Sequence, residues 1–110
     1  MGVLIRTGSG LYRFSGFDSI SERLEYNPVD MGKGLLGFHL RGERVLPVFD
    51  LNRVLGMERG RKWIYFVTRD AVFLVSYDGI WRDGEGEEID LGRVAEDLRG
   101  ELDGRNGGNS

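Results

Sequence analysis

The chain has one histidine, His39, and no cysteine, so the side chains that most often hold metals or attack substrates are nearly missing. A zinc site needs three or four convergent ligands, and one histidine among carboxylates is an unusual set. A Ser-His-Asp triad needs a presented serine, yet no Gly-x-Ser-x-Gly elbow occurs. His39 lies inside an apolar run and reads as a structural or surface residue. Gly8-Ser9-Gly10 and Gly32-Lys33-Gly34 lack the spacing of a phosphate-binding loop and open no long helix, so both read as turns. The acidic stretch Asp83 to Glu88 lacks the ligand spacing of a calcium loop and reads as solvated. Asp50 and Asp90 each precede a short helical pattern, and capping explains them better than paired acid-base work. The expectation is no catalytic residue, no metal and no cofactor, which leaves binding as the mode of action.

Charge narrows the partner. Fifteen basic and eighteen acidic residues are interspersed, for a net charge of −3 and a pI near 5.2. Nucleic-acid binding leaves a basic footprint, which is absent here. Trp63, Tyr65, Phe66 and Phe73 therefore read as core, not as a platform for bases. The lack of cysteine excludes disulfides and fits a reducing compartment. No apolar run approaches the roughly 18 residues of a membrane span, and Met1 to Arg6 lacks a signal-peptide layout. The expectation is a cytoplasmic domain with no membrane insertion.

The elements that must position any binding surface are short. Eighteen glycines in 110 residues punctuate brief apolar runs, which is a β-rich pattern. Val3 to Ile5 and Leu11 to Phe14 flank a Gly/Ser turn and read as a hairpin. Ser19 to Leu24 has capping-box spacing and reads as a helical turn. Asn27-Pro28 opens a loop that runs to Gly34. Leu35 to Leu40 and Arg44 to Phe49 read as strands about the Gly42-Glu43 turn, with Pro47 at an edge or bulge. Asp50 then caps a short helix that stops at Gly56. Lys62 to Thr68 and Ala71 to Val75 are dense in aromatic and β-branched residues and read as central partner strands. A last helical pattern follows Asp90. The chain reads as one domain over residues 1–103, with a polar, glycine-rich tail over 104–110.

One internal echo stands out. Phe49-Asp50-Leu51-Asn52-Arg53-Val54 is matched by Ile89-Asp90-Leu91-Gly92-Arg93-Val94. Each reads as a strand end, an Asp cap and a short helix that sends a Leu and a Val into the core. The fold class expected is mainly β, with six to nine short strands in a pseudo-duplicated architecture and two short helices. Ile64, Phe66, Phe73, Val75, Leu51, Val54 and Leu40 are expected in the core, and Trp81 is expected to close its floor.

Gly37 to Gly56 resembles the central signature of CheW-like domains, carried by Gly37, Leu40, Arg41, Gly42, Pro47, Val48, Asp50, Leu51, Leu55 and Gly56. The resemblance implies small β-barrels around a shared core and a non-enzymatic adaptor that couples a chemoreceptor to a chemotaxis histidine kinase. It implies a partner-binding surface at Gly37, Leu40, Arg41, Gly42 and Val48. The chain is shorter than family domains usually are, and His39 stands where Asn is common. An unrelated small β-barrel subunit that binds a protein or small ligand is the alternative.

Overall fold

The computed structural model describes residues 2–103. The expected tail over 104–110 lies outside the described residues. Ten strands and two helices follow one another: β1 (Gly2–Thr7), β2 (Gly10–Ser15), β3 (Ser19–Ser21), β4 (Asn27–Pro28), β5 (Leu35–Arg41), β6 (Arg44–Asp50), α1 (Leu51–Leu55), β7 (Lys62–Val67), β8 (Val72–Tyr77), β9 (Gly79–Trp81), β10 (Glu87–Asp90) and α2 (Leu91–Asp103). The protein is mainly β, as its short alternating runs require. The ladders do not close into barrels. They form an open four-stranded sheet, β10-β2-β1-β9, and an open six-stranded sheet, β3-β7-β8-β6-β5-β4.

The duplication is visible in the topology. In the first sheet β10 runs parallel to β2, which pairs antiparallel with β1, which pairs antiparallel with β9. In the second, β6, β8, β7 and β3 repeat that order and those directions, with β5 and β4 added outside β6. Matching joints hold the copies. Asp18 donates its backbone N–H to the Val67 carbonyl at 2.7 Å, and Asp78 donates to the Arg6 carbonyl at 2.8 Å. The echo at Asp50 and Asp90 is thus the same strand-cap-helix step in each copy. Asp50 Oδ1 accepts from Arg53 N at 3.4 Å, and Asp90 Oδ1 accepts from Gly92 N at 3.0 Å and Arg93 N at 3.3 Å. Gly56 ends α1 in the left-handed conformation, φ 69°, where a side chain would be strained.

The main core lies between the sheets. Phe66 from β7 meets Phe14 from β2 edge-on at 5.4 Å and Phe17 at 5.0 Å. Ile5, Phe73, Val75, Leu51, Leu91 and Ala95 complete this fully enclosed layer. Leu46, Val48, Val67 and Val72 form a second cluster on the other face of the six-stranded sheet, packed by Leu24, Tyr26 and Tyr65. From Ile64 to Val67 and Val72 to Val75 the strands β7 and β8 are therefore covered on both faces, which is why these segments run nearly without polar interruption, whereas Trp63, expected in the core, is 64 % exposed.

Several local expectations are corrected. Ser19–Ser21 is a strand paired with Val67 to Tyr65, not a helical turn, because the exposed edge of β7 offers it a ladder. Asn27 and Pro28, expected in a loop, pair with Phe38 and Gly37. Pro47 is in an interior strand, but the ladder to β8 begins only at Val48, so its missing N–H falls where β6 has a partner on one side. Leu40 is 66 % exposed instead of buried, since the hairpin extends past the core that would cover it. Trp81 pairs opposite Leu4 at the sheet edge and is 46 % exposed, so it does not seal the floor. Val54 is only partly buried against the main core.

Candidate partner-binding surface

The β5–β6 hairpin projects from the six-stranded sheet, and its register follows from one glycine. Gly42 takes φ 64° as the first central residue of a two-residue turn, the position at which hairpin turns favour glycine. That turn sets Arg41 opposite Arg44 and Leu40 opposite Val45. Leu40 and Val45 are 66 % and 52 % exposed, so an apolar cross-strand pair faces solvent. Like charges directly opposite one another are unfavourable, and each arginine turns to its own acid. Arg41 Nη1 lies 3.5 Å from Asp18 Oδ2, and Arg44 Nη2 lies 3.3 Å from Asp70 Oδ1. Arg44 also donates to the Arg69 carbonyl at 2.8 Å, which ties the tip to the β7–β8 turn.

An open groove of about 650 Å³ runs beside this tip, between β5 and the segment 24–27. His39 lines it with its Nδ1 2.7 Å from the Glu25 carbonyl; opposite a carbonyl oxygen that nitrogen donates. The imidazole thus holds the segment onto the strand. Tyr26 meets Tyr65 edge-on at 6.4 Å behind the groove. Burial, with a smaller contribution from Tyr26, raises the Tyr65 hydroxyl above its ordinary pKa. Among the described residues, no group of three or more His, Asp or Glu side chains is placed to hold a metal ion. No described helix is long and apolar enough to cross a membrane.

The structure brings together three of the five residues singled out in the sequence. Leu40, Arg41 and Gly42 form the tip itself. Gly37 lies further back, where a Cβ would stand 2.2 Å from the Asn27 carbonyl oxygen, so glycine is what lets β4 approach β5. Val48 is fully enclosed in the second cluster and offers no side-chain surface. Sequence reasoning missed Val45, Asp18, Asp70 and the groove wall at Leu24 to Asn27. Val45 was within reach: counting back from a two-residue turn pairs it with Leu40. The contacts to Asp18 and Asp70 depend on tertiary approach and leave no local signal.

No protein-family model matches the sequence, and no curated protein matches it. Among solved structures, the chain is similar to the scaffolding protein TtCheW from Thermoanaerobacter tengcongensis, with a TM-score of 0.59 at 14 % identity. The match covers 78 % of this chain and 64 % of that one, so the chain accounts for less than two thirds of that protein's length. The chain has a CheW-like fold.

Proposed function

We propose that the chain is a non-enzymatic adaptor of chemotaxis-type signal transduction. In this reading it is one domain over residues 1–103 that works in the cytoplasm and couples a chemoreceptor to a histidine kinase by protein contacts. The observation that carries the proposal is the exposed Leu40–Val45 pair on a hairpin whose tip is fixed by Gly42 and flanked by two arginines. Apolar anchors at the centre of a polar rim are the usual energetic core of a protein interface. The fold shared with a scaffolding protein supports the same reading. Gly37 and Val48 contribute from inside, by seating the hairpin on the sheet.

The test is calorimetric titration against a receptor cytoplasmic fragment and a kinase regulatory domain. Leu40→Asp is expected to weaken binding by about 2 kcal/mol or more, because it removes an anchor and desolvates a charge. Arg41→Glu is expected to cost more than about 1 kcal/mol through like-charge contact with an acidic partner. Neither variant should lower the melting temperature much, since both side chains are largely solvated and exposed ion pairs contribute about 0–1 kcal/mol. Unchanged binding by both folded variants would move the coupling surface elsewhere.

A further inference from the structure

The molecule carries two grooves of opposite charge that the hairpin reading does not use. The first, of about 480 Å³, lies where β10, α1 and α2 meet. Its rim bears Glu87, Glu88, Asp90 and Asp97 against one cation, Arg93, and among the described residues Glu87, Glu88 and Asp97, all exposed, are in no ion pair. Tyr12 and the exposed Leu55 give it an apolar floor. The second, of about 650 Å³, is lined by Arg6, Arg59, Arg61 and Lys62. Its one acid, Asp78, is already engaged by the backbone N–H groups of Gly8 and Arg61 at 3.0 and 3.2 Å. Arg59 is committed to Asp50, but Arg61 and Lys62 form no ion pair.

The basic segment is held rigidly. Gly60 exchanges hydrogen bonds with the Ser76 hydroxyl, both at 2.9 Å, and packs so closely that a Cβ would stand 2.1 Å from the Tyr77 backbone. Buried Asn52 holds the Glu58 carbonyl at 2.8 Å just before it. Arg61 and Lys62 are thus presented on fixed backbone, so docking them orders their side chains but little main chain. Glu87 and Glu88 on β10 form no close ion pair, nor do Arg61 and Lys62, although the Arg61 charge also acts on Asp78 and Glu88 pairs opposite Arg13 in the ladder. The partner whose chemistry fits each groove is present in the sequence itself.

We propose that the chain self-associates by seating Arg61 and Lys62 of one copy against Glu87, Glu88 and Asp97 of a second copy. The contact uses none of the tip residues Leu40 to Val45, although Asp97 shares a groove with Arg69 and Asp70, which Arg44 of the tip holds. Its mainly ionic character makes it salt-sensitive, because screening shortens from about 10 Å at 0.1 M salt to about 3 Å at 1 M.

Sedimentation velocity of the intact chain over a concentration series tests this without any other protein. At about 50 mM salt the chain is expected to show a concentration-dependent rise in sedimentation coefficient, which about 0.5 M salt abolishes. Glu87→Lys/Glu88→Lys and Arg61→Glu/Lys62→Glu are each expected to raise the dissociation constant by at least about tenfold. A one-to-one mixture of the two variants should restore association, because each reversed groove then meets its complement. A control mixture, Glu22→Lys/Glu96→Lys with Arg23→Glu/Arg69→Glu, carries the same net charges elsewhere and should gain nothing comparable. A wild-type chain that stays monomeric at low salt overturns the proposal. So does association that both folded variants retain, or a mixture that recovers no more than the control. If a double variant fails to fold, the single substitutions Glu88→Lys and Lys62→Glu carry the same comparison.

Discussion

Asn52 shows how a single side chain is fixed by bookkeeping of donors and acceptors. It is almost fully buried on α1, donates to the Glu58 and Ser76 carbonyls at 2.8 and 2.9 Å, and accepts from Ser76 N at 2.7 Å. Asn52→Ala strands three backbone groups, and urea denaturation is expected to show a loss of about 2–4 kcal/mol. Asp78 gives a pH dependence. The Gly8 N–H, then the Arg61 N–H and the charges of Arg6 and Arg61, outweigh desolvation and hold its carboxyl below the ordinary value. A folded-state pKa below the unfolded one means that this contribution is present above the unfolded value and is lost as pH falls through the folded one. Melting temperature should therefore fall on acidification below about pH 4, and Asp78→Asn should flatten that part of the profile; an unchanged slope would remove Asp78 from the joint. Neither role was legible in the sequence, where Asn52 sits one position into an unremarkable helix start and Asp78 follows a strand with nothing local to mark its partners. Apart from the Asn52 bond to Glu58, six residues on, both roles come from partners at least 17 residues away.

At the scale of elements, the caps were the most legible feature. Asp50 and Asp90 stand where an apolar strand gives way to helical spacing, and that change of period is local. Asp50→Ala is expected to cost about 0.5–2 kcal/mol for the cap alone. The Arg59 guanidinium also grips both Asp50 oxygens, at 3.3 and 2.5 Å, so the loss should lie toward the upper end of that range. A double-mutant cycle with Arg59→Ala separates the two contributions; additive losses would show that the pair is not coupled. The short strands were illegible for a related reason. β3, β4 and β9 contain two or three residues each. Nothing in so short a segment distinguishes strand from turn, and each exists because a longer neighbour presents an unpaired edge. Leu40 was misplaced because alternation assigns a face without saying where the core beneath that face ends.

The whole molecule is a duplicated strand-hairpin-cap-helix unit wrapped on one aromatic core. Composition and the Asp50/Asp90 echo made the β class and the duplication legible. The parallel pairings of β6 with β8 and of β10 with β2 were not, because they join segments that are distant in sequence. Phe66 is the keystone of the packing, fully enclosed and meeting Phe14 of the opposite sheet and Phe17 of the β2–β3 connection. Phe66→Ala should lower stability by about 3–5 kcal/mol, and a variant as stable as the parent in urea would contradict this packing.

The adaptor reading itself is tested most directly by recruitment. Receptor cytoplasmic fragments displayed on vesicles are sedimented with a chemotaxis histidine kinase, with and without the chain. The kinase is expected to pellet with the receptor only when the chain is added, and Leu40→Asp, folded by circular dichroism, is expected to abolish that recruitment. Kinase that stays in the supernatant whether or not the wild-type chain is present would contradict the account.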